Sequence, residues 1–123
     1  MGKQSPTRES EIQAHIRGTM NHRDAPTRLW RNNVGCLETK DGRWVDFGLS
    51  VGSADLIGIE RRLITDEMVG QTVGVFLAVE VKTAVGKLSK EQVAWLAAVR
   101  AFGGEAHVMR NVDDAVQYLR SLK

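Results

Sequence analysis

The sequence has a single cysteine, Cys36, in 123 residues. One thiol cannot form an internal disulfide, so an oxidising compartment has no support, and a lone cysteine is expected to be a packed small residue rather than a catalyst or a ligand. The three histidines, at positions 15, 22 and 107, are scattered along the chain. A zinc site of the finger type therefore has no support either.

Long apolar runs are also missing, since none approaches the roughly 20 residues that a membrane span requires. The first residues, Met-Gly-Lys-Gln-Ser-Pro, lack the apolar core of a signal peptide, and we expect a cytoplasmic protein. The formal net charge of +2 is too small to indicate a nucleic-acid partner by itself, although basic residues outnumber acidic ones in the first third of the chain. The composition is that of a soluble globular protein, and the length fits one domain over residues 1–123.

Turn and capping signals organise the first half of the chain. Ser5-Pro6 has the pattern of a helix N-cap followed by proline at the first helical position. The apolar spacing that follows predicts a helix that ends at about Met20. Asp41-Gly42 predicts a tight hairpin that pairs residues 34–37 with residues 44–47.

The second half of the chain has the pattern of a strand, a helix and another strand. Ser89 with Gln92 three residues later is a capping box, which starts a helix over residues 90–102 that Gly103-Gly104 ends. A short strand is expected at residues 106–109. Because a crossover through this helix favours parallel, right-handed pairing, the order α-β-β-β-β-α-β-α predicts an α/β fold with a mixed β-sheet flanked by helices.

The central strand is expected at residues 73–81, buried on both faces, because this segment is rich in β-branched residues and lacks proline. Side chains alternate along a strand, so Glu80 and Lys82 at its end point to the same side. They can be a solvated pair at an ordinary strand end. A second acidic segment, residues 52–58 with Asp55 at its centre, favours a functional site instead.

A short apolar strand is expected directly after Asp55, at residues 56–59. Asp55 and Glu80 form an oxygen-rich site if adjacent strands bring them together. Carboxylate oxygens are the ligands that hard cations such as Mg²⁺ prefer. Beside such a metal, Lys82 can help to deprotonate the attacking water or neutralise charge that grows on an attacked phosphate. An aspartate combined with Glu-x-Lys on a neighbouring strand therefore has the groups that phosphodiester hydrolysis needs.

Four segments, in this order, carry a family resemblance: Gly52-Ser-Ala-Asp-Leu-Ile-Gly58, Glu80-Val-Lys82, Gly86-x-Leu88-Ser89-x-x-Gln92 and Gly103-Gly104. Together they resemble the virus-type replication-repair nuclease domain, VRR-NUC, of the PD-(D/E)XK superfamily. The resemblance runs from about Glu9 to Asp113. The proline that gives the superfamily its name is Ala54 here, a substitution that is usual for the VRR-NUC branch.

The resemblance implies a restriction-endonuclease-like core that cleaves DNA with Mg²⁺ or Mn²⁺. Asp55 and Glu80 would be metal ligands, with the main-chain carbonyl of Val81 as a further ligand. Lys82 would be a catalytic residue. These roles follow from the family and not from the spacing alone, because a bare aspartate followed by Glu-x-Lys is a weak signal.

Two more catalytic residues are implied by the same resemblance. The helix glutamate of the family is matched by Glu9, because Glu9 and Gln13 fit its Glu-x-x-x-Gln pattern and flank the apolar side of the first helix. Glu11 is the alternative. Gln92 matches the family's glutamine, and it can be a capping-box residue at the same time.

The resemblance is to the stand-alone phage and bacterial members, which are small and similar to homodimeric Holliday-junction resolvases. We therefore expect a homodimer in a bacterial or phage-infected cell that cleaves structured DNA, such as Holliday junctions, in replication, recombination or repair. Ser53 and the two lysines that flank the motif, Lys87 and Lys90, are the DNA-binding candidates. Other basic residues that can contact a DNA backbone are Arg8, Arg17, Arg28, Arg31, Arg61 and Arg62.

Two other functions use the same residues. A catalytically silent DNA-binding or assembly protein can keep the fold, but it gains nothing from two clustered carboxylates, which repel phosphate. A small-molecule metallohydrolase has the same ligands, but the sequence shows no pocket signature for it. Metal-dependent cleavage of DNA separates the three hypotheses.

Overall fold

The computed structural model of the protein describes residues 8–122, and none of the helices in that range combines the length and the apolar character of a membrane span. The chain divides into two compact units, Met1–Glu60 and Arg61–Lys123, called here the N-terminal unit and the C-terminal unit. The single domain expected over residues 1–123 stays a prediction. The elements, in chain order, are α1 (Glu9–Met20), β1 (Thr27–Arg31), β2 (Gly35–Glu38), β3 (Trp44–Phe47), β4 (Leu56–Glu60), a 3₁₀ turn (Asp66–Met68), β5 (Leu77–Val81), α2 (Lys90–Ala101), β6 (Glu105–Met109) and α3 (Val112–Ser121).

Helix α1 begins at Glu9 and ends at Met20, as the sequence predicts for its C-terminal end. Arg8 occupies the N-cap position and makes no side-chain capping bond. The expected start at Ser5-Pro6 lies outside the described residues. The end of the helix is secured further along the chain, because the Thr27 hydroxyl donates a hydrogen bond of 2.6 Å to the carbonyl of Met20.

The predicted hairpin is confirmed. Strands β2 and β3 pair antiparallel, with Gly35 opposite Phe47 and Cys36 opposite Asp46. The expectation that Cys36 is packed is wrong, since the residue is exposed at this pair. A hydrogen bond to the Asp46 carboxylate is the main cause that raises the pKa of the Cys36 thiol, and the negative charge of Asp46 adds to it.

The region before α2 has five strands, one more than the predicted order. Residues 27–31 form the separate strand β1, which pairs antiparallel with β4, from Thr27 opposite Glu60 to Arg31 opposite Leu56. Gly58 lies opposite Leu29, where a β-carbon would collide with the carbonyl of Arg28. The close approach of the two strands therefore requires glycine at this position.

The C-terminal unit contains the predicted crossover. Strand β5 passes through α2 to β6, and the two strands pair parallel, with Ala78 opposite Ala106. The helix starts at the Ser89 capping box and is followed by Gly103, whose φ of 89° is readily adopted only by glycine. The buried apolar residues of this unit are Ala78, Leu96, Val99 and Ala106.

Strand β5 is shorter than expected and is not buried on both faces. It begins at Leu77 rather than at residue 73. On one face Ala78 is buried and Glu80 is half-buried, whereas Leu77, Val79 and Val81 on the other face are exposed. The antiparallel pairs, the parallel pair and the helices together confirm the α/β class.

Candidate active site

Strand β5 places Glu80 and Lys82 on one side of the sheet. Glu80 is the fourth residue of the strand, and Lys82 follows its last residue while its N–H still donates to the carbonyl of Met109 at 3.1 Å. The Lys82 ammonium lies 3.7 Å from Oε1 of Glu80. Their side chains are 22% and 30% exposed, so the pair is partly withdrawn from water and is not an ordinary solvated strand end.

Gln92, in the first turn of α2, connects the helix start to Glu80. Its Oε1 accepts the N–H of Ser89 at 2.9 Å, and the Ser89 hydroxyl accepts the N–H of Gln92 at 3.1 Å, which is the reciprocal capping box. The Gln92 amide then donates from Nε2 to Oε1 of Glu80 at 2.9 Å. One side chain therefore caps the helix and contacts the acidic residue, so the two interpretations of Gln92 are compatible.

These contacts leave one side of the Glu80 carboxylate open. Both Gln92 and Lys82 bind Oε1, and Oε2 has no hydrogen-bond or ion-pair partner within residues 8–122. A carboxylate that is held at one oxygen has a restricted orientation and can still offer the other oxygen to a ligand. The Glu80 carboxylate is therefore restrained at Oε1 and has its Oε2 without a partner among the described residues.

The carbonyl of Val81 is the second available oxygen in this unit. The Glu105 N–H donates to the carbonyl of Phe76, and the Lys82 N–H donates to the carbonyl of Met109. In a parallel ladder every second residue bonds to a given neighbour, so the even-numbered residues of β5 bond to β6. The Val81 carbonyl points away from β6, which does not use it.

Arg110 fixes the turn that follows Lys82, and sequence reasoning missed it. Its NH1 atom donates to the carbonyls of Thr83 and Gly86 at 2.6 and 2.7 Å. The Gly86 N–H also donates to the Thr83 hydroxyl at 3.1 Å. The chain between Lys82 and α2 is therefore tied to the end of β6, although an arginine after a strand gives no signal of this in the sequence.

In the N-terminal unit, Asp55 lies directly before β4, and its backbone is held by Asn32. The Asn32 N–H donates to the Asp55 carbonyl at 2.8 Å. The Asn32 amide donates to the Ser53 hydroxyl at 2.7 Å and to the Ala54 carbonyl at 2.8 Å, and it accepts the Leu49 N–H at 2.9 Å. Asn32 is the buried polar residue of the described chain, with 8% of its surface exposed.

The Asp55 side chain itself is exposed and faces a polar cavity of about 280 Å³. Helix α1 contributes one wall through positions with the spacing of a single helical face. The lining residues are Ser10, Gln13, Ala14, Arg17, Arg31, Asn32, Asn33 and Asp55. Within residues 8–122 the Asp55 carboxylate makes no hydrogen bond or ion pair, so it too is available to a ligand.

The remaining predicted site residues are exposed or already take part in a hydrogen bond within the chain. Glu9 lies one turn before Gln13 on α1, Glu11 points in another direction, and neither glutamate lines the cavity. Lys87 and Lys90 are exposed beside the start of α2. The Ser53 hydroxyl accepts a hydrogen bond from Asn32 and keeps its own proton to donate.

The donor set matches a hard cation in its chemistry. Glu80, Val81 and Asp55 offer only oxygen atoms, the ligand type that Mg²⁺ and Mn²⁺ prefer. No group of three or more His, Cys, Asp or Glu side chains in the described range is placed to hold a metal ion. The predicted set needs only two carboxylates, since a main-chain carbonyl and water supply the other ligands.

The chain matches the family model of the VRR-NUC domain over residues 7–113, which is nearly its whole length. Neither the curated proteins nor the solved structures compared with it give a significant match. The match contains both carboxylates, Lys82 and Gln92, and the predicted restriction-endonuclease-like α/β fold is confirmed with it. The chain belongs to the VRR-NUC family, with a fold of the PD-(D/E)XK type and a nuclease-type function in DNA processing.

Proposed function

We propose that the protein is a DNA endonuclease that hydrolyses phosphodiester bonds with Mg²⁺ or Mn²⁺. Membership of the family supplies the coarser part, a nuclease with DNA as its substrate. The observation that supports the finer part is the arrangement at Glu80, where Gln92 and Lys82 hold one carboxylate oxygen and the other oxygen stays open. A solvated surface glutamate would not need this restraint.

Each residue of the proposal has one role. Asp55, Glu80 and the Val81 carbonyl would hold the metal ion, which supplies polarisation of the phosphate and a lowered pKa of water. The Lys82 ammonium stabilises the negative charge that develops on the phosphate oxygens. In the reaction the oxygen of water bonds to phosphorus and water gives up a proton to the solvent, while one ester bond breaks and the departing oxygen takes up a proton.

The geometry of Lys82 fits this role. Its ammonium is close enough to Glu80 to be oriented by it and is still 22% exposed, so it can reach a bound phosphate without losing its position. Gln92 contacts the same carboxylate oxygen as the ammonium and so leaves the other oxygen to a ligand. Glu9 is proposed as the helix acid of the site, because it lies one turn before Gln13, which lines the cavity beside Asp55.

For the substrate we propose structured DNA such as a four-way junction, cleaved by a homodimer. Two copies related by a two-fold axis present two equivalent sites, which suits the paired strands of a junction. The same proposal assigns Ser53, Lys87 and Lys90 to contacts with the DNA backbone. Sedimentation of the free protein and of its junction complex measures the number of copies.

The test is cleavage of plasmid, single-stranded and four-way-junction DNA with Mg²⁺, with Mn²⁺ and with a chelator. Glu80→Gln is the test variant, and Glu91→Gln is its matched control, because Glu91 is an exposed acid in the same unit. We expect metal-dependent cleavage by the wild type and by Glu91→Gln, and none by Glu80→Gln, which keeps DNA binding. Cleavage that survives in Glu80→Gln contradicts the site, and a wild type that binds DNA without cutting it is the catalytically silent alternative.

A further inference from the structure

A second cavity, lined by residues of α1 and β1, has lining residues in common with the polar cavity beside Asp55. The second cavity has a volume of about 380 Å³ and shares Arg17 and Arg31 with the first. The two cavities together are called here the α1–β1 groove. The residues that only the second cavity contributes are Asn21, Arg28, Leu29 and Trp30.

The lining of the groove selects for an anion. Arginines at 17, 28 and 31 face it with one acidic residue, Asp55. The uncharged donors beside them are the side-chain amides of Gln13 and Asn33 and the hydroxyl of Ser10, whereas the amides of Asn32 and Asn21 already donate to the chain. Ala14, Leu29 and Trp30 are the apolar part of the lining. The excess of basic side chains suits phosphate oxygens.

The three arginines differ in how far they are committed. The Arg28 guanidinium donates to the carbonyls of His22, Ala25 and Thr27 at 3.3, 3.1 and 2.6 Å. Its NH1 donors are therefore occupied by the chain itself. Arg31 makes one contact of 3.3 Å to Asn33. Arg17 is half-buried, and its side chain has no hydrogen bond or ion pair within the described residues.

Arg17 and Arg31 therefore keep guanidinium N–H donors that no described residue uses. The planar guanidinium groups of Arg17 and Arg31 can each hold two oxygens of a phosphate. Both arginines line both cavities, and the first cavity is also lined by Asp55, a proposed metal ligand. The groove thus includes one of the proposed metal ligands.

We propose that the α1–β1 groove binds a phosphate of the DNA backbone other than the one that is cleaved, held between Arg17 and Arg31. This subsite fixes where the strand lies along α1 and thereby which phosphate reaches Asp55. The inference rests on the proposed function, because it assumes that a DNA strand is bound at Asp55. It adds a positioning site that the motif residues do not include.

The test measures DNA binding rather than cleavage, so that the proposed subsite and the proposed active site can be refuted independently. Fluorescent single-stranded and four-way-junction DNA is titrated with protein that carries Glu80→Gln, at a series of salt concentrations. Arg17→Gln and Arg31→Gln are added to this background. The matched control is Arg23→Gln, since Arg23 is an arginine of the same unit with a 92% exposed side chain outside the groove.

The slope of log K against log salt is negative, and loss of one phosphate contact makes it less steep by about 0.7 for a single strand and about 0.9 for a duplex. We expect that decrease for Arg17→Gln and for Arg31→Gln, with affinity about tenfold weaker at physiological salt. Arg17→Lys keeps the charge and recovers most of the slope. Arg23→Gln changes neither quantity by as much.

Three outcomes overturn the inference in distinguishable ways. If Glu80→Gln binds no DNA while its thermal unfolding matches the wild type, the proposed function falls and the subsite falls with it. If it binds DNA and the two groove variants behave like Arg23→Gln, only the subsite is wrong. If the groove variants weaken binding but their unfolding temperatures also fall below that of Arg23→Gln, and Arg17→Lys restores neither, the arginines act through folding and the subsite is again wrong.

Discussion

Glu80 and Asp55 are held at different atoms. The Glu80 side chain is fixed by Gln92 and by the Lys82 ammonium, both at the same carboxylate oxygen. The Asp55 side chain has no hydrogen bond or ion pair to any described residue, and Asn32 holds its main-chain carbonyl instead. One carboxylate is therefore oriented by its neighbours, whereas the other is positioned only through its backbone, so a ligand at Asp55 would have to fix the side-chain rotamer itself.

This difference separates catalytic from structural consequences of substitution. Changes around Glu80 act on a preset side chain, so they should alter cleavage more than folding. Changes around Asp55 act through a buried amide network, so they should alter folding and only then the site. The following substitutions test that division.

Replacing Lys82 should have the largest effect. Lys82→Gln keeps most of the length of the side chain and removes its charge, and cleavage should fall about 10²- to 10³-fold, the usual cost of losing one charge-stabilising group in a transition state. The partly exposed ion pair with Glu80 should contribute less than about 1 kcal/mol to the free energy of unfolding. Single-turnover cleavage and urea unfolding measure the two quantities. The control is Arg120→Gln, an exposed charge on α3, and an equal loss of cleavage in both variants would contradict the role of Lys82.

Asn32→Ala should be the main folding defect. It leaves the Leu49 N–H, the Ser53 hydroxyl and the Ala54 carbonyl without their partner in a part-buried site. The expected loss in the free energy of unfolding is about 2–3 kcal/mol, measured by urea denaturation. Asn33→Ala removes the exposed neighbouring amide and should cost less than about 0.5 kcal/mol. Similar losses for both variants would show that the network around Asp55 does not stabilise the fold.

Substitutions at Gln92 and Ser89 can separate the two roles of the Gln92 side chain, which caps α2 and contacts Glu80. Gln92→Glu keeps the acceptor for the Ser89 N–H but places a second carboxylate against Glu80, and cleavage should fall about 10- to 100-fold with most of the stability retained. Ser89→Ala should do the reverse, with about 1 kcal/mol of stability lost through the helix cap and cleavage nearly unchanged. Kinetics and thermal unfolding of both variants decide this. If cleavage follows stability in the two variants alike, Gln92 acts only as a cap.

The features that the sequence predicts correctly are local in the chain. The capping box joins Ser89 and Gln92 over three residues, and the alternation of a strand places Glu80 and Lys82 on one side over two. The turn of the β2–β3 hairpin is predicted by the Asp41-Gly42 pair. Each of these depends on a backbone period or a turn type, which neighbouring residues determine by themselves.

The features that were missed depend on distant partners. Asn32 bonds to residues 17, 21 and 22 positions away, and Arg110 bonds to carbonyls 24 and 27 positions away. Strand β1 pairs with β4, which follows the whole hairpin in the chain, and the predicted order has no separate strand at residues 27–31. The type of a polar residue does not predict which distant carbonyl it will bind, because tertiary packing determines that contact.

The smallest effect on folding should come from Asp55 itself. Asp55→Asn removes a charge that has no partner among the described residues, so the free energy of unfolding without metal should change by less than about 0.5 kcal/mol or rise slightly. With Mg²⁺ or Mn²⁺ at 100 times its dissociation constant, the wild type should gain about 2.7 kcal/mol, and the variant should gain almost none. Thermal unfolding with and without metal measures both, with Asp46→Asn on the hairpin as the matched acid. An unchanged metal response in Asp55→Asn would remove Asp55 from the proposed ligand set and leave Glu80 as its only carboxylate.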